Sequence, residues 1–177
     1  MVRTKFATPA VGEYAEYYHQ YINKFAPNDF LAGFEAQIEE LRNLFGDLPE
    51  GEDEKLHAPY TWTLKQLMGH LIDCERVFST RMLRIAAADD SRLTGFDQDA
   101  TVANLDYQEV TMSDLLDEFE HLRRANIGLA RRLTPESLTI MGTASDNPIS
   151  AKACLYILAG HIVYHVEIAR KRLLQDV

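Results

Sequence analysis

Apolar residues recur every three or four positions along four long segments of the chain, which is the period of an α-helix with one buried face. These segments cover residues 29–45, 63–88, 113–133 and about 150–174. A shorter, tyrosine-rich helix is expected over residues 13–25. No segment alternates between apolar and polar residues for long enough to predict a β-strand. The pattern therefore predicts an all-α fold.

The boundaries of these segments carry residue types that cap helices. Thr63 and Gln66 have the spacing of a capping box, and Trp62 and Leu67 have the spacing of a hydrophobic staple. Ser150 is placed to cap the start of the fourth segment. The caps therefore support helices that begin near residues 63 and 150.

Four amphipathic helices of this length predict a four-helix bundle. We expect a single domain over residues 1–177, with residues 1–27 as an N-terminal extension and residues 28–177 as the bundle. The connection over residues 88–111 is too long for a simple turn between neighbouring helices. Such a long crossover would let the second and third helices run parallel.

The composition of the chain argues against some classes of function and location. The net charge of -9 over 177 residues argues against nucleic-acid binding, which needs clustered basic residues. The apolar runs are too short to cross a membrane, and the first residues lack the apolar core of a signal peptide. A cytoplasmic location is therefore expected. In that compartment Cys74 and Cys154 are expected to be reduced thiols.

Two histidines lie on the apolar stripe of the fourth helix. His161 and His165 are four residues apart, so their imidazoles lie one helical turn apart on the same face. A bundle core accepts two adjacent histidines when they bind a metal or when neighbouring helices supply hydrogen bonds. The spacing alone leaves both interpretations open.

His70 lies beside the core stripe of the second helix. Together with His161 and His165 it predicts a site with three neutral nitrogen donors on facing helices. Such a site suits one divalent ion, zinc or nickel above all. Three protein ligands leave an open position for water or substrate, which is typical of a catalytic metal site.

Four further residues are candidates for the surroundings of this site. Asp73, Cys74 and Glu75 follow His70 closely, and Asp97 lies on the crossover. Each has a structural alternative as well: surface ion pairs for Asp73 and Glu75, core packing for Cys74, and a helix cap for Asp97. The other three histidines are expected to be exposed or peripheral: His19, His57 and His121.

Three stretches resemble the DinB/YfiT-like family of four-helix proteins. YTWTLKQLMGHLIDCERVFSTRMLRIA, residues 60–86, resembles the second helix of the family. LTGFDQDATVA, residues 93–103, resembles its crossover. The C-terminal stretch GTASDNPISAKACLYILAGHIVYHVEIARKRLL resembles its fourth helix. The resemblance covers nearly the whole chain from Tyr14 onward.

The resemblance implies that the metal histidines of the family fall on His70, His161 and His165. One departure is Tyr164, where many relatives have the first of a pair of histidines. Family members include metal-dependent hydrolases and thiol transferases, among them bacillithiol transferases and the mycothiol-dependent maleylpyruvate isomerase. They commonly form homodimers. A homodimer is therefore expected. The tyrosines of the N-terminal extension would either lie in its interface or pack on their own bundle: Tyr14, Tyr17, Tyr18 and Tyr21.

Two classes of function remain open from the sequence. One is a metal-dependent enzyme that acts on a small molecule, either as a thiol S-transferase with a low-molecular-weight thiol or as a hydrolase. The other is a non-catalytic, metal-stabilised module for stress response or binding. The sequence shows no serine or cysteine nucleophile motif that would favour a third mechanism.

Overall fold

The computed structural model describes residues 6–107 and 109–174. Its helices and strands are, in chain order, α1 (His19–Ile22), α2 (Phe30–Phe45), α3 (Leu64–Ala86), α4 (Gln98–Asn104), α5 (Met112–Arg132), α6 (Pro135–Leu138), β1 (Met141–Ala144), β2 (Asn147–Ser150) and α7 (Ala151–Leu173). Two 3-10 turns cover Glu16–Tyr18 and Glu52–Glu54. The long helices α2, α3, α5 and α7 are the four predicted segments, so the predicted helical bundle is confirmed.

The predicted caps fix the starts of the helices. At the start of α3, the Thr63 hydroxyl accepts the Gln66 N–H at 3.1 Å, and the Gln66 side chain accepts the Thr63 N–H at 2.9 Å. Ser150 accepts the Ala153 N–H at 2.9 Å at the start of α7. These bonds satisfy backbone donors that the first turn of a helix otherwise leaves unpaired.

The four long helices do not alternate in direction along the chain. The first halves of α3 and α5 share one apolar cluster and their second halves share another, so these two helices run parallel. α2 and α7 run the opposite way: Arg42 of α2 pairs with Asp117 of α5, and Arg172 of α7 contacts Trp62 just before α3. The predicted parallel arrangement of the second and third helices is therefore present.

The crossover that permits this topology is held by a hairpin that the sequence pattern did not predict. β1 and β2 pair antiparallel, with Met141 opposite Ser150. Ser145 and Asp146 both have positive φ, as a two-residue type I′ turn requires. Leu93 of the crossover bonds to the hairpin through its own N–H and C=O. Each strand has only four residues, which is too short for a period of two to be recognised.

The N-terminal extension packs on its own bundle. Tyr14 and Tyr21 are buried and Tyr18 is partly buried, whereas the Tyr17 side chain is exposed. The expected helix over residues 13–25 is shorter in the structure, a 3-10 turn followed by α1. Most of the tyrosine surface that could serve an interface is therefore already covered within the chain.

His57 differs from the expectation that it is exposed or peripheral, because it is buried. Its Nε2 lies 2.6 Å from Glu52 Oε1, and its Nδ1 lies 3.3 Å from the guanidinium of Arg172. The same guanidinium donates to the Trp62 carbonyl oxygen at 2.7 Å. His57 lies in a loop, where no helical or strand period indicates which side chains are buried. His19 and His121 are exposed, as expected.

A buried polar cluster joins all four long helices. Arg123 of α5 donates to Glu75 of α3 at 2.6 Å and to Gln37 of α2 at 2.5 Å. Asn126 donates to the other Glu75 oxygen at 2.7 Å, and Gln37 donates to the Ala159 carbonyl oxygen of α7 at 2.7 Å. We call these four side chains, Gln37, Glu75, Arg123 and Asn126, the central polar cluster.

No helix among the described residues is long and apolar enough to span a membrane.

We predict that Glu75→Gln strongly destabilises the fold, because it leaves the fully buried Arg123 charge without a counter-charge. The expected loss in the free energy of unfolding is about 3–5 kcal/mol, measured by urea denaturation. The double variant Glu75→Gln, Arg123→Met should recover part of this loss, since it buries no unpaired charge. A single variant as stable as wild type would contradict the assignment.

Candidate metal centre

α3 and α7 run antiparallel and place three imidazoles against one another. His161 Nε2 lies 3.2 Å from His70 Nε2 and 3.0 Å from His165 Nε2. One ring nitrogen from each histidine lies within 4.8 Å of the other two. His70 and His161 are buried, and His165 is partly buried. The structure thus brings together the three histidines that the sequence predicts as metal ligands.

A glycine precedes two of these histidines and lets another segment pack closely on each helix. A Cβ on Gly160 would lie 1.9 Å from the Tyr21 carbonyl oxygen, so only glycine lets α1 pack this closely on α7. A Cβ on Gly69 would lie 1.9 Å from the Tyr107 ring. Gly160 therefore lets Tyr21 pack against His161, whereas Gly69 lets Tyr107 pack on α3 beside Asp73.

Aromatic rings surround the three histidines. The Trp62 ring centroid lies 5.0 Å from that of His70, the Tyr21 centroid lies 5.1 Å from that of His161, and the Tyr164 centroid lies 5.0 Å from that of His165. Trp62 is fixed through its carbonyl oxygen by Arg172, beside His57. The sequence pattern does not indicate that these three rings surround the histidines.

Burial keeps the three imidazoles neutral. Burial lowers the pKa of His70 from 6.5 to about 4 and, together with the neighbouring His70, lowers the pKa of His165 to about 3. The pKa of His161 is also lowered, first by burial and then by the charges that His165, His70 and Arg123 carry when protonated. Neutral imidazoles have the free lone pair that a metal ligand needs.

Hydrogen bonds alone satisfy this arrangement poorly. A neutral imidazole has one N–H and one in-plane lone pair, so a single lone pair on His161 Nε2 cannot accept well from both neighbours. The buried Nδ1 of His165 also has no hydrogen-bond partner among the described residues. One cation between the three Nε2 atoms would use all three lone pairs at once.

The spacing of the nitrogens fits such an ion. Two imidazole nitrogens on a tetrahedral zinc, each about 2.0–2.1 Å from the metal, are separated by about 3.3 Å. The separations of His161 Nε2 from His70 Nε2, 3.2 Å, and from His165 Nε2, 3.0 Å, are close to this value, and the ligand atoms of the third pair lie within 4.8 Å of each other. Within the described part of the chain, no carboxylate joins the group, and three nitrogen donors suit a borderline metal such as zinc or nickel.

The four further candidates lie in four different environments. Cys74 Sγ contacts His70 Nε2 at 3.7 Å but is outside the group of three ligand atoms, and burial raises the pKa of its thiol. Asp73 accepts from the Tyr107 hydroxyl at 3.3 Å and pairs with Arg76. Glu75 belongs to the central polar cluster. Asp97 caps α4 by accepting the Ala100 N–H at 2.9 Å.

The comparisons with known proteins agree with this fold. A family model for the DinB superfamily matches residues 33–169, more than half of the chain. The chain belongs to the DinB superfamily. This DinB protein also superposes on YfiT from Bacillus subtilis with a TM-score of 0.76 and 14% sequence identity, over 86% of this chain and 94% of that chain. YfiT is described as a probable metal-dependent hydrolase with an unusual four-helix bundle topology. No curated protein matches the chain significantly.

We predict that the metal-free protein loses stability as the pH falls below about 6.5. Unfolded histidines take up protons there, whereas folded His70 and His165 stay neutral until about pH 4 and 3. Each such histidine lowers the free energy of unfolding by up to about 1.4 kcal/mol per pH unit in that window. Urea denaturation of chelator-treated protein at pH 7.5, 6.5 and 5.5 measures the trend. A flat profile would show that the histidines are not buried as described.

Proposed function

We propose that this DinB protein is a metal-dependent enzyme that holds one divalent ion, zinc or nickel, on His70, His161 and His165. The convergence of the three Nε2 atoms carries the proposal, since His161 Nε2 faces both neighbours at hydrogen-bond distance and has one lone pair for the two of them. Three ligands leave one position for a small-molecule substrate. A bound divalent ion would supply a Lewis acid that lowers the pKa of a thiol or water.

The reaction that we favour is thiol S-transfer with a low-molecular-weight thiol of the bacillithiol type. Within the described residues no carboxylate joins the group of ligand atoms, so no carboxylate lies beside the proposed metal to act as the general base for water. A thiol has a far lower intrinsic pKa than water and depends less on such a base. The family resemblance adds support, because thiol transferases occur among these proteins.

The residues of this chain would position the reactants and exclude water. Tyr21, Trp62 and Tyr164 present ring surfaces around the imidazoles. In S-transfer an S–C bond forms, the bond from that carbon to its leaving group breaks with the electron pair on the leaving group, and the thiol proton passes to solvent. Apolar walls favour such displacement over hydrolysis of the electrophile.

Metal-dependent hydrolysis is the second candidate, favoured by the description of YfiT as a probable metal-dependent hydrolase. A non-catalytic, metal-stabilised module for stress response or binding is the alternative outside enzymology. The three candidate functions differ in what reacts with the substrate. A thiol reacts with it in S-transfer, water reacts with it in hydrolysis, and the non-catalytic module catalyses no reaction.

We predict about one divalent ion per chain in tag-free protein, because three histidines form one site. His161→Ala should lose most of the metal, and the matched control His121→Ala, which removes an exposed histidine, should keep it. Elemental analysis measures the metal. The same samples should conjugate cysteine to monochlorobimane, with release of chloride, in wild type and His121→Ala only.

The outcomes separate the candidates. Full metal content in His161→Ala would contradict the site itself. Thiol-independent hydrolysis of 4-nitrophenyl acetate by wild type, lost in His161→Ala, would favour the hydrolase. Metal loss that lowers only the melting temperature, with no turnover in either assay, would favour the non-catalytic module.

We also propose that the protein is a homodimer, on the strength of the family resemblance. Tyr17 is the exposed member of the N-terminal tyrosines and is available to a second copy. Light scattering at micromolar concentration should give twice the mass of the 20.2 kDa chain. A monomeric mass would contradict the proposal.

A further inference from the structure

A cavity separate from the three histidines lies between the second half of α3 and the crossover. Its volume is about 840 Å³, which is within the range of small-molecule sites. Four arginines line it: Arg76, Arg81, Arg84 and Arg92. Apolar side chains from both segments complete the lining, among them Val77, Leu93 and Phe96. We call this space the arginine cavity.

Three of the four guanidinium groups already have carboxylate partners. Arg76 pairs with Asp73 and Glu118, Arg84 pairs with Asp89 at 2.7 Å, and Arg92 pairs with Asp146 at 3.4 Å. These partners are all carboxylates outside the lining of the cavity. The charges of these three arginines therefore need no ligand.

Arg81 is different, because it is only 4% exposed and has no carboxylate partner within the described part of the chain. Its Nη2 donates to the Thr94 carbonyl oxygen at 3.1 Å and to the Ser145 hydroxyl at 3.0 Å. The guanidinium carbon lies 4.9 Å from the centroid of the Phe78 ring. All of these contacts are to neutral groups.

A buried charge without a counter-charge is unfavourable, because neutral dipoles replace only part of the hydration that the charge loses. The crossover and the hairpin supply such dipoles through Thr94 and Ser145. The missing counter-charge has room in the arginine cavity. Among the described residues that line it, one is acidic, Asp97, and its carboxylate caps α4.

We propose that the arginine cavity binds a small organic carboxylate, with the anionic group on Arg81 and an apolar body against Phe96, Leu93 and Val77. A carboxylate matches the planar guanidinium donors and supplies the absent charge. The apolar lining selects a ligand that carries a hydrocarbon portion and disfavours a simple inorganic anion. This site uses none of the three histidines, so it stands independently of the proposed metal chemistry.

The test is an NMR titration of the purified protein with phenylacetate and with phenylacetamide, which has nearly the same shape and no charge. Phenylacetate should shift the amide signals of Thr94, Gly95 and Ala100 saturably. Phenylacetamide should bind about tenfold more weakly or worse, because it lacks the charge-assisted hydrogen bond.

Two variants locate the site. Arg81→Met should abolish phenylacetate binding, and Ala100→Phe, which fills the cavity from an exposed lining residue, should also abolish it with Arg81 in place. Arg170→Ala removes an exposed arginine on α7 and should bind as wild type does. Should Arg81→Met fail to fold, Ala100→Phe decides. Equal binding of the two probes, no saturable shift, or unchanged binding in folded Arg81→Met or in Ala100→Phe would overturn the proposal.

Discussion

The ion pair between Glu75 and Arg123 lies fully buried where the four long helices meet. Through Gln37 and Asn126 the central polar cluster ties α2, α3, α5 and α7 to one another. Apolar packing alone tolerates small shifts of one helix along another, whereas a buried ion pair is satisfied in one register only. The register matters because His70 on α3 must meet His161 and His165 on α7.

The same buried cation also acts on the histidines electrostatically. Arg123 adds to the burial and the neighbouring histidines that lower the pKa of His161. An environment that disfavours a proton on an imidazole still leaves its lone pair available to a metal ion. The core thus holds three neutral nitrogen donors on packed helices, with His161 Nε2 at 3.2 and 3.0 Å from those of His70 and His165. Such preorganisation reduces the cost of ordering ligands on binding.

The sequence predicted the features that depend on local pattern. The capping box at Thr63 and the apolar stripes identified the long helices, and the four-residue spacing of His161 and His165 placed both on one face. It could not predict features that depend on distant contacts. Glu75 looked like a neighbour of His70, yet it points to Arg123 from another helix. His57 looked peripheral because its burial depends on Glu52 and Arg172, and the hairpin strands are too short to show a period.

The most direct test of the central claim is X-ray absorption spectroscopy at the absorption edge of the metal, in protein purified without a tag and dialysed free of small thiols. We expect three imidazole nitrogens at about 2.0–2.1 Å and no sulfur ligand at about 2.3 Å. That result would mean that His70, His161 and His165 hold the ion and that Cys74 stays outside its ligand sphere. A sulfur ligand, or a spectrum with fewer than three imidazoles, would contradict it.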